Sequence, residues 1–189
     1  MDDEVYAKDR AAWRAWLRNH HASRDAVWLV YYKNDSGQAS INYGDAVEEA
    51  LCFGWVDSKV QAIDEDRYRQ YFSVRKPDST WSRPNKERVA RLTQSRLMEG
   101  PGLRAVEVAK ENGSWEFLDD IEEGVVPDDL AEALAARKGA REHFDGSSPS
   151  LRRAMLFWVK SAKRPATRQK RIGEIASAAA KGEKPKPFS

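Results

Sequence analysis

Trp55-Val56-Asp57-Ser58-Lys59-Val60-Gln61-Ala62-Ile63, then Asp64-Glu65-Asp66, then Arg67-Tyr68-Arg69-Gln70-Tyr71-Phe72-Ser73-Val74-Arg75 is the stretch that decides the fold. Apolar and polar residues alternate with a period of two on both sides of an acidic triplet, the signature of a β-hairpin with a three-residue turn. With Glu65 at the turn centre, Ile63 is set against Arg67, Lys59 against Tyr71, Asp57 against Ser73 and Trp55 against Arg75. Directly opposed side chains share a face. Trp55, Asp57, Lys59, Tyr71, Ser73 and Arg75 are therefore expected on one polar, aromatic face, with a Trp55–Arg75 stack. Val56, Val60, Phe72 and Val74 are expected on the core face. A slip of one residue scatters both sets, so the register carries the reading.

Outward from the hairpin, the pattern changes to helical. Trp13, Trp16, Leu17 and His20 predict an amphipathic helix over 7–21, and Ala26–Lys33 reads as a buried strand. Ala46–Phe53 reads as a helix capped by Asp45 and stopped by Gly54. Pro84 suits the first turn of a helix through Leu97, with Ser82 as its cap. Gly100-Pro101-Gly102 breaks that helix, and another runs to about Lys110, ended by Asn112-Gly113.

Residues 114–189 hold no convincing strand. The acidic stretch 116–132 reads as a loop plus a short helix, with Pro127 at a helix start. Ser148-Pro149 opens a helix with Leu151, Met155, Trp158 and Ala162 inward. Pro165 opens the next, with Ile172, Ile175, Ala176 and Ala179 inward and Gly182 at its end. The fold class is α+β: a small antiparallel β-sheet with packed helices over 1–112, an all-helical C-terminal segment over 113–182, and a flexible tail over 183–189. Whether the two parts form one compact unit is open.

The 189 residues include seven Trp, six Tyr and six Phe, ample for a packed core. Lys and Arg number 32 against 30 Asp and Glu, a net +2, so global charge argues for neither nucleic acid nor a membrane surface. The single cysteine, Cys52, excludes an internal disulfide and reads as a small buried hydrophobe between Leu51 and Phe53. Met1-Asp2-Asp3-Glu4 is no secretory leader, and no apolar run approaches the roughly 20 residues that span a bilayer. The expected location is the cytoplasm.

The candidate ligand-binding residues are Trp55, Asp57, Ser58, Lys59, Tyr71, Arg75, Lys76, Trp81, Ser82 and Asn85. Aromatic faces beside convergent polar groups are the usual make-up of a pocket that stacks a flat group and fixes a polar or anionic one. An equally open structural reading makes Asp57 and Arg75 an ion pair, Ser82 and Asn85 a cap, and the tryptophans core. A second candidate is the basic stretch Lys160, Lys163, Arg164, Arg168, Lys170 and Arg171, with Arg152 and Arg153 before it. It would grip phosphates, or it would pair with the acidic stretch from Glu116 to Asp129, the preferred reading. His20, His21 and His143 lack metal-ligand spacing, and no nucleophile elbow, P-loop or dinucleotide fingerprint occurs. No metal or cofactor is expected, and no residue is assigned a catalytic role.

The order Trp16-Leu17, Val27-Trp28-Leu29, Tyr32-Lys33, Tyr43, Ala50–Ser58, Arg75-Lys76, Trp81-Ser82 and Asn85-Lys86 resembles the YdeI / OmpD-associated family, also called bacteriocin-protection proteins. Leu151-Arg152-Arg153, Trp158-Val159, Ala162–Arg168 and Arg171-Ile172 resemble the same family's helical segment. Two departures stand out: Ser73-Val74 replaces the family's usual Thr-Pro, and Pro84 lies where a non-proline residue is commoner. The resemblance implies a role in stress response and in protection against bacteriocins or antimicrobial peptides, with no established reaction. The resulting expectation is a non-catalytic binder of a small molecule, anion or peptide. Nucleic-acid or anionic-surface binding through 152–171, and an enzyme of unknown reaction, are the alternatives. The geometric expectation is that Trp55, Asp57, Arg75 and Trp81 converge.

Overall fold

A computed structural model describes residues 3–189. The chain divides into two compact units, one running to Glu116 and the other from Phe117 to Ser189. In the first, β1 (Glu4–Tyr6), β2 (Ala26–Tyr32), β3 (Trp55–Ala62) and β4 (Arg67–Val74) form one sheet in the order β1-β2-β4-β3. Around it lie α1 (Arg10–His20), α2 (Tyr43–Cys52), α3 (Arg83–Gln94) and α4 (Gly100–Glu111). The α+β expectation holds. The sheet, however, is mixed: β1 runs parallel to β2, and the other two pairings are antiparallel.

Local chemistry accounts for the elements. Asp9 caps α1 by accepting from the Ala12 amide, and Trp13 and Leu17 on its inner face are fully buried. α2 starts three residues before the sequence reading, because Asn42 rather than Asp45 is the cap: its side chain accepts from the Asp45 amide at 2.9 Å. Trp13 Nε1 donates to Ala46 O at 3.1 Å, and the buried Glu49 carboxylate takes Arg10 and Arg14 as partners, which fastens α1 to α2. Inward residues of β2 and β4, Val27, Leu29, Tyr31 and Phe72, pack against these helices.

The hairpin turn lies where alternation placed it, but the register does not run through. Val60, Gln61 and Ala62 pair with Gln70, Arg69 and Tyr68, as the Glu65-centred turn requires. Beyond a bulge between Asp57 and Val60, the pairing shifts by one, so Trp55 faces Val74, Val56 faces Ser73 and Asp57 faces Phe72. The bulge inserts one extra residue into β3 and exchanges the faces of everything before it. Trp55 thereby enters the core instead of the polar face; Val60 and Val74 share the face of the buried Gln70 and Phe72, as expected, but are exposed there.

The second unit is helical: α5 (Asp119–Glu123), α6 (Asp128–Ala135), α7 (Ala140–Asp145), α8 (Pro149–Lys160) and α9 (Pro165–Ala180). α9 packs on α6, α7 and α8, and Ile172, Ile175, Ala176 and Ala179 are buried as the stripe predicts. On α8 the buried set is Met155, Leu156 and Val159, with Leu151 and Trp158 packed at its margin. After Gly182 the tail makes a single 3-10 turn over Lys186–Phe188, and Phe188 meets Trp158 edge-on at 5.6 Å. No helix among the described residues is long and apolar enough to cross a membrane.

Candidate functional site

The end of the hairpin farthest from its turn is where chemistry collects. Gly54, at φ +74°, ends α2 and passes directly into β3. The Arg75 amide donates to Gly54 O at 3.0 Å, one step beyond the β4 ladder. α4 closes over this corner. Its Gly102 lies so near the last carbonyls of α2 that a Cβ there would sit 2.3 Å from Cys52 O, and the Glu99 amide donates to the same oxygen at 3.1 Å.

Between the strand ends, α4 and the residue after α1 lies a cavity of about 350 Å³. Phe53, Trp55, Val74, Pro101, Ala105 and Val108 give it apolar walls, and His21, Arg75, Lys76 and Arg104 supply positive or titratable groups. Among the described residues its lining holds no carboxylate.

Arg75 is the unusual member. It is 8% exposed, and its guanidinium stacks on Trp81 at 3.7 Å from the ring centroid. Its Nη1 donates to Thr80 O at 3.0 Å, while Nε is buried without a partner. Among the described residues no carboxylate comes within ion-pair distance of it. Burial pulls its pKa down to about 10, and Asp57, too far for an ion pair, acts weakly in the opposite direction. The Asp57 carboxylate is committed elsewhere, accepting from Gln70 Nε2 at 2.8 Å and the Tyr43 hydroxyl at 3.3 Å. Gln70 in turn accepts from the Tyr31 hydroxyl at 3.2 Å.

Two further donors near Arg75 are buried without partners, the indole nitrogens of Trp55 and Trp81. Among the described residues only one other side-chain atom, Arg10 Nη2, shares that condition. A buried unpaired donor costs about 1–3 kcal/mol, and more when charged, so three around one corner call for an explanation.

The ten sequence-predicted residues divide. Trp55, Arg75 and Lys76 line the cavity, and Trp81 lies against Arg75 with Trp115 at 5.1 Å behind it. The expected Trp55–Arg75 stack is absent, since the bulge turns Trp55 into the core, and Arg75 stacks on Trp81 instead. Tyr71 lies on the opposite sheet face, edge-on to Trp28 at 5.0 Å. Ser58 and Lys59 are the exposed bulge residues. Ser82 precedes α3 but caps it through no side-chain bond, and Asn85 accepts from Arg88 at 3.0 Å. His21, Arg104 and Val108 were not foreseen. Their signal was Gly100-Pro101-Gly102, which marks a close approach of α4 as well as a helix start.

Residues 5–105, just over half of the chain, match the family model described as Domain of unknown function (DUF8412). Residues 123–182 match the model described as Bacteriocin-protection, YdeI or OmpD-Associated. The chain is a DUF8412 member that carries a YdeI/OmpD-associated domain. No curated protein and no solved structure matches it. The YdeI/OmpD-associated match falls within the helical unit, and the DUF8412 match contains the hairpin and most of the cavity wall.

Within the YdeI/OmpD-associated domain, part of the basic stretch is engaged. Arg168 forks onto Asp129 at 2.7 and 2.8 Å, and Lys160 meets Asp120 at 2.9 Å. Arg171 donates to Ser161 Oγ at 3.1 Å and to Trp158 O. Elsewhere, Cys52 is buried and its thiol is pushed up to about 11 by desolvation. His20 and His21 each direct Nδ1 to a carbonyl of the preceding turn, of Trp16 and Leu17. Among the described residues no group of three or more His, Cys, Asp or Glu side chains is placed to hold a metal ion.

Proposed function

We propose that this DUF8412 and YdeI/OmpD-associated protein is a non-catalytic binding protein, serving stress response and bacteriocin protection by holding a small ligand or a peptide end in the cavity beside Trp55 and Arg75. One observation carries the reading: Arg75 is a buried cation with an unpaired Nε and no carboxylate partner, at the wall of an apolar cavity of about 350 Å³. Burying a charge with no countercharge is unfavourable, offset here by the stack on Trp81 and the bond to Thr80 O, and a ligand anion supplies the missing countercharge. The indole nitrogen of Trp55, a wall residue, is likewise buried without a partner, as is that of Trp81 behind Arg75.

The sign of the charge narrows the mode of protection. Arg75, Lys76 and Arg104 repel the side chains of a basic antimicrobial peptide. Direct capture of such side chains does not suit this cavity, whereas a small anion or a peptide C-terminal carboxylate does. The nucleic-acid reading has less support, because Lys160, Arg168 and Arg171 are turned to partners inside their own unit.

A thermal-shift screen of small apolar anions tests the reading. A ligand at 100 times its Kd adds about 2.7 kcal/mol, or about 5–10 °C in Tm for a chain of this size. A library of such anions that leaves Tm unmoved overturns it.

A further inference from the structure

We propose, resting on the ligand-binding reading above, that the ligand is a carboxylate with a compact apolar body, its carboxylate gripped by the free Nε–Nη2 edge of Arg75 and its body seated against Trp55 and Val108. Two fixed contacts leave that edge without a partner. Stacking on Trp81 sets the plane of the guanidinium, and the bond from Nη1 to Thr80 O sets its rotation within the plane. Of the remaining nitrogens, Nε is unpartnered and no bond engages Nη2 among the described residues. An arginine held in this way presents two parallel N–H groups, the geometry that a planar carboxylate accepts bidentately.

The choice of carboxylate over phosphate follows from what surrounds the edge. A phosphate dianion needs several charges converging on three or more oxygens. Here Arg75 is the one buried cation of the cavity, while Lys76 and Arg104 are exposed. Exposed cations steer an anion inward without matching its oxygens. The unpartnered Trp55 Nε1 is a neutral donor, suited to a singly charged acceptor.

Size sets the body. At about 30 Å³ per water-sized group, a cavity of about 350 Å³ holds roughly a dozen heavy atoms. An aryl or short branched alkyl carboxylate fills it, and a long acyl chain or a nucleotide does not. Because Nε is enclosed, seating the carboxylate takes a side-chain rearrangement of the kind common on binding.

Three probes of similar bulk applied to the full chain decide the matter: 3-phenylpropanoate, the neutral 3-phenylpropan-1-ol, and phenyl phosphate. Calorimetry gives affinity, and the indole N–H signals of the seven tryptophans report location by NMR. The expected result is that 3-phenylpropanoate binds at least tenfold more tightly than the other two and shifts the Trp55 and Trp81 signals. Arg75→Lys keeps the charge, loses the fork, and lowers that affinity at least tenfold, with Tm measured alongside. Equal binding of the alcohol overturns the carboxylate class while leaving a binding cavity. Phenyl phosphate binding as well as or better than the carboxylate overturns the fork argument. If none of the three binds the wild-type chain, the ligand-binding reading itself falls, whatever the variant does.

Discussion

Replacing Arg75 by methionine keeps an unbranched apolar stem and deletes the guanidinium. Pulling the arginine pKa from its ordinary value to about 10 corresponds to about 3 kcal/mol of unfavourable burial, borne because the group stays charged at neutral pH. Against this stand the contacts that methionine loses. The stack on Trp81, at 3.7 Å in a desolvated setting, is worth about 2 kcal/mol, and the charged hydrogen bond to Thr80 O about 1.5 kcal/mol. The terms nearly cancel, so Arg75→Met should change unfolding free energy by no more than about 1 kcal/mol. An arginine serving a structural ion pair behaves differently, since removing one partner of a buried pair costs about 3–5 kcal/mol. Urea unfolding followed by far-UV circular dichroism avoids a fluorescence baseline altered near Trp81. A loss of 3 kcal/mol or more would refute the claim that Arg75 has no ion-pair partner.

Three other perturbations test the surrounding structure. Gly102→Ala places a Cβ 2.3 Å from Cys52 O and 2.6 Å from Leu51 O, so α4 must retreat by about an ångström; the expected cost is at least about 1–3 kcal/mol in a denaturant melt, and an unchanged melt contradicts the packing. Cys52, its thiol pushed up to about 11, should resist an aromatic disulfide reagent in the native chain and react once denatured, whereas prompt native labelling would show it accessible. Arg168 holds the Asp129 carboxyl below its ordinary 3.8, a stabilisation fully present above that value and lost as pH falls through the lower folded value. Asp129→Asn should remove this part of the acid sensitivity and cost under about 1 kcal/mol at neutral pH, since the pair is partly exposed; identical stability curves of wild type and variant from pH 7 to pH 3 would sink it.

Element positions were legible where a strong local signal exists. Pro84, Pro149 and Pro165 announce the starts of α3, α8 and α9, and Trp13 with Leu17 announces the inner face of α1. The turn at Asp64-Glu65-Asp66 was legible for the same reason, and it gave the correct pairing for Val60, Gln61 and Ala62. β1 was not, because three residues in an acidic N-terminal stretch carry no period. The face of Trp55 failed for a subtler reason. Asp57-Ser58-Lys59 places three polar residues in succession, already a break in alternation, and the bulge occupies that break. The meeting of Arg75 with Trp81 was foreseen from the pocket-like residue types, but its geometry was not. Nor was the cavity beside Arg75, one wall of which is α4, brought close by contacts at Gly54 and Gly102.

The bulge in β3 also bears on how this strand tolerates changes in length. With Ser58 deleted, Lys59 would oppose Tyr71, and every pairing seen on either side, Asp57 with Phe72 and Val60 with Gln70, would persist in an unbroken ladder. Deleting Val56 or Asp57 also closes the bulge with Trp55 still opposite Val74, but it puts Ser58 in place of Asp57 opposite Phe72, whereas an insertion at the bulge has no such slack. β3 is thus a strand one residue longer than its partner requires. Shortening by one residue at Ser58 or Lys59 is the length change its neighbours are already arranged to accept.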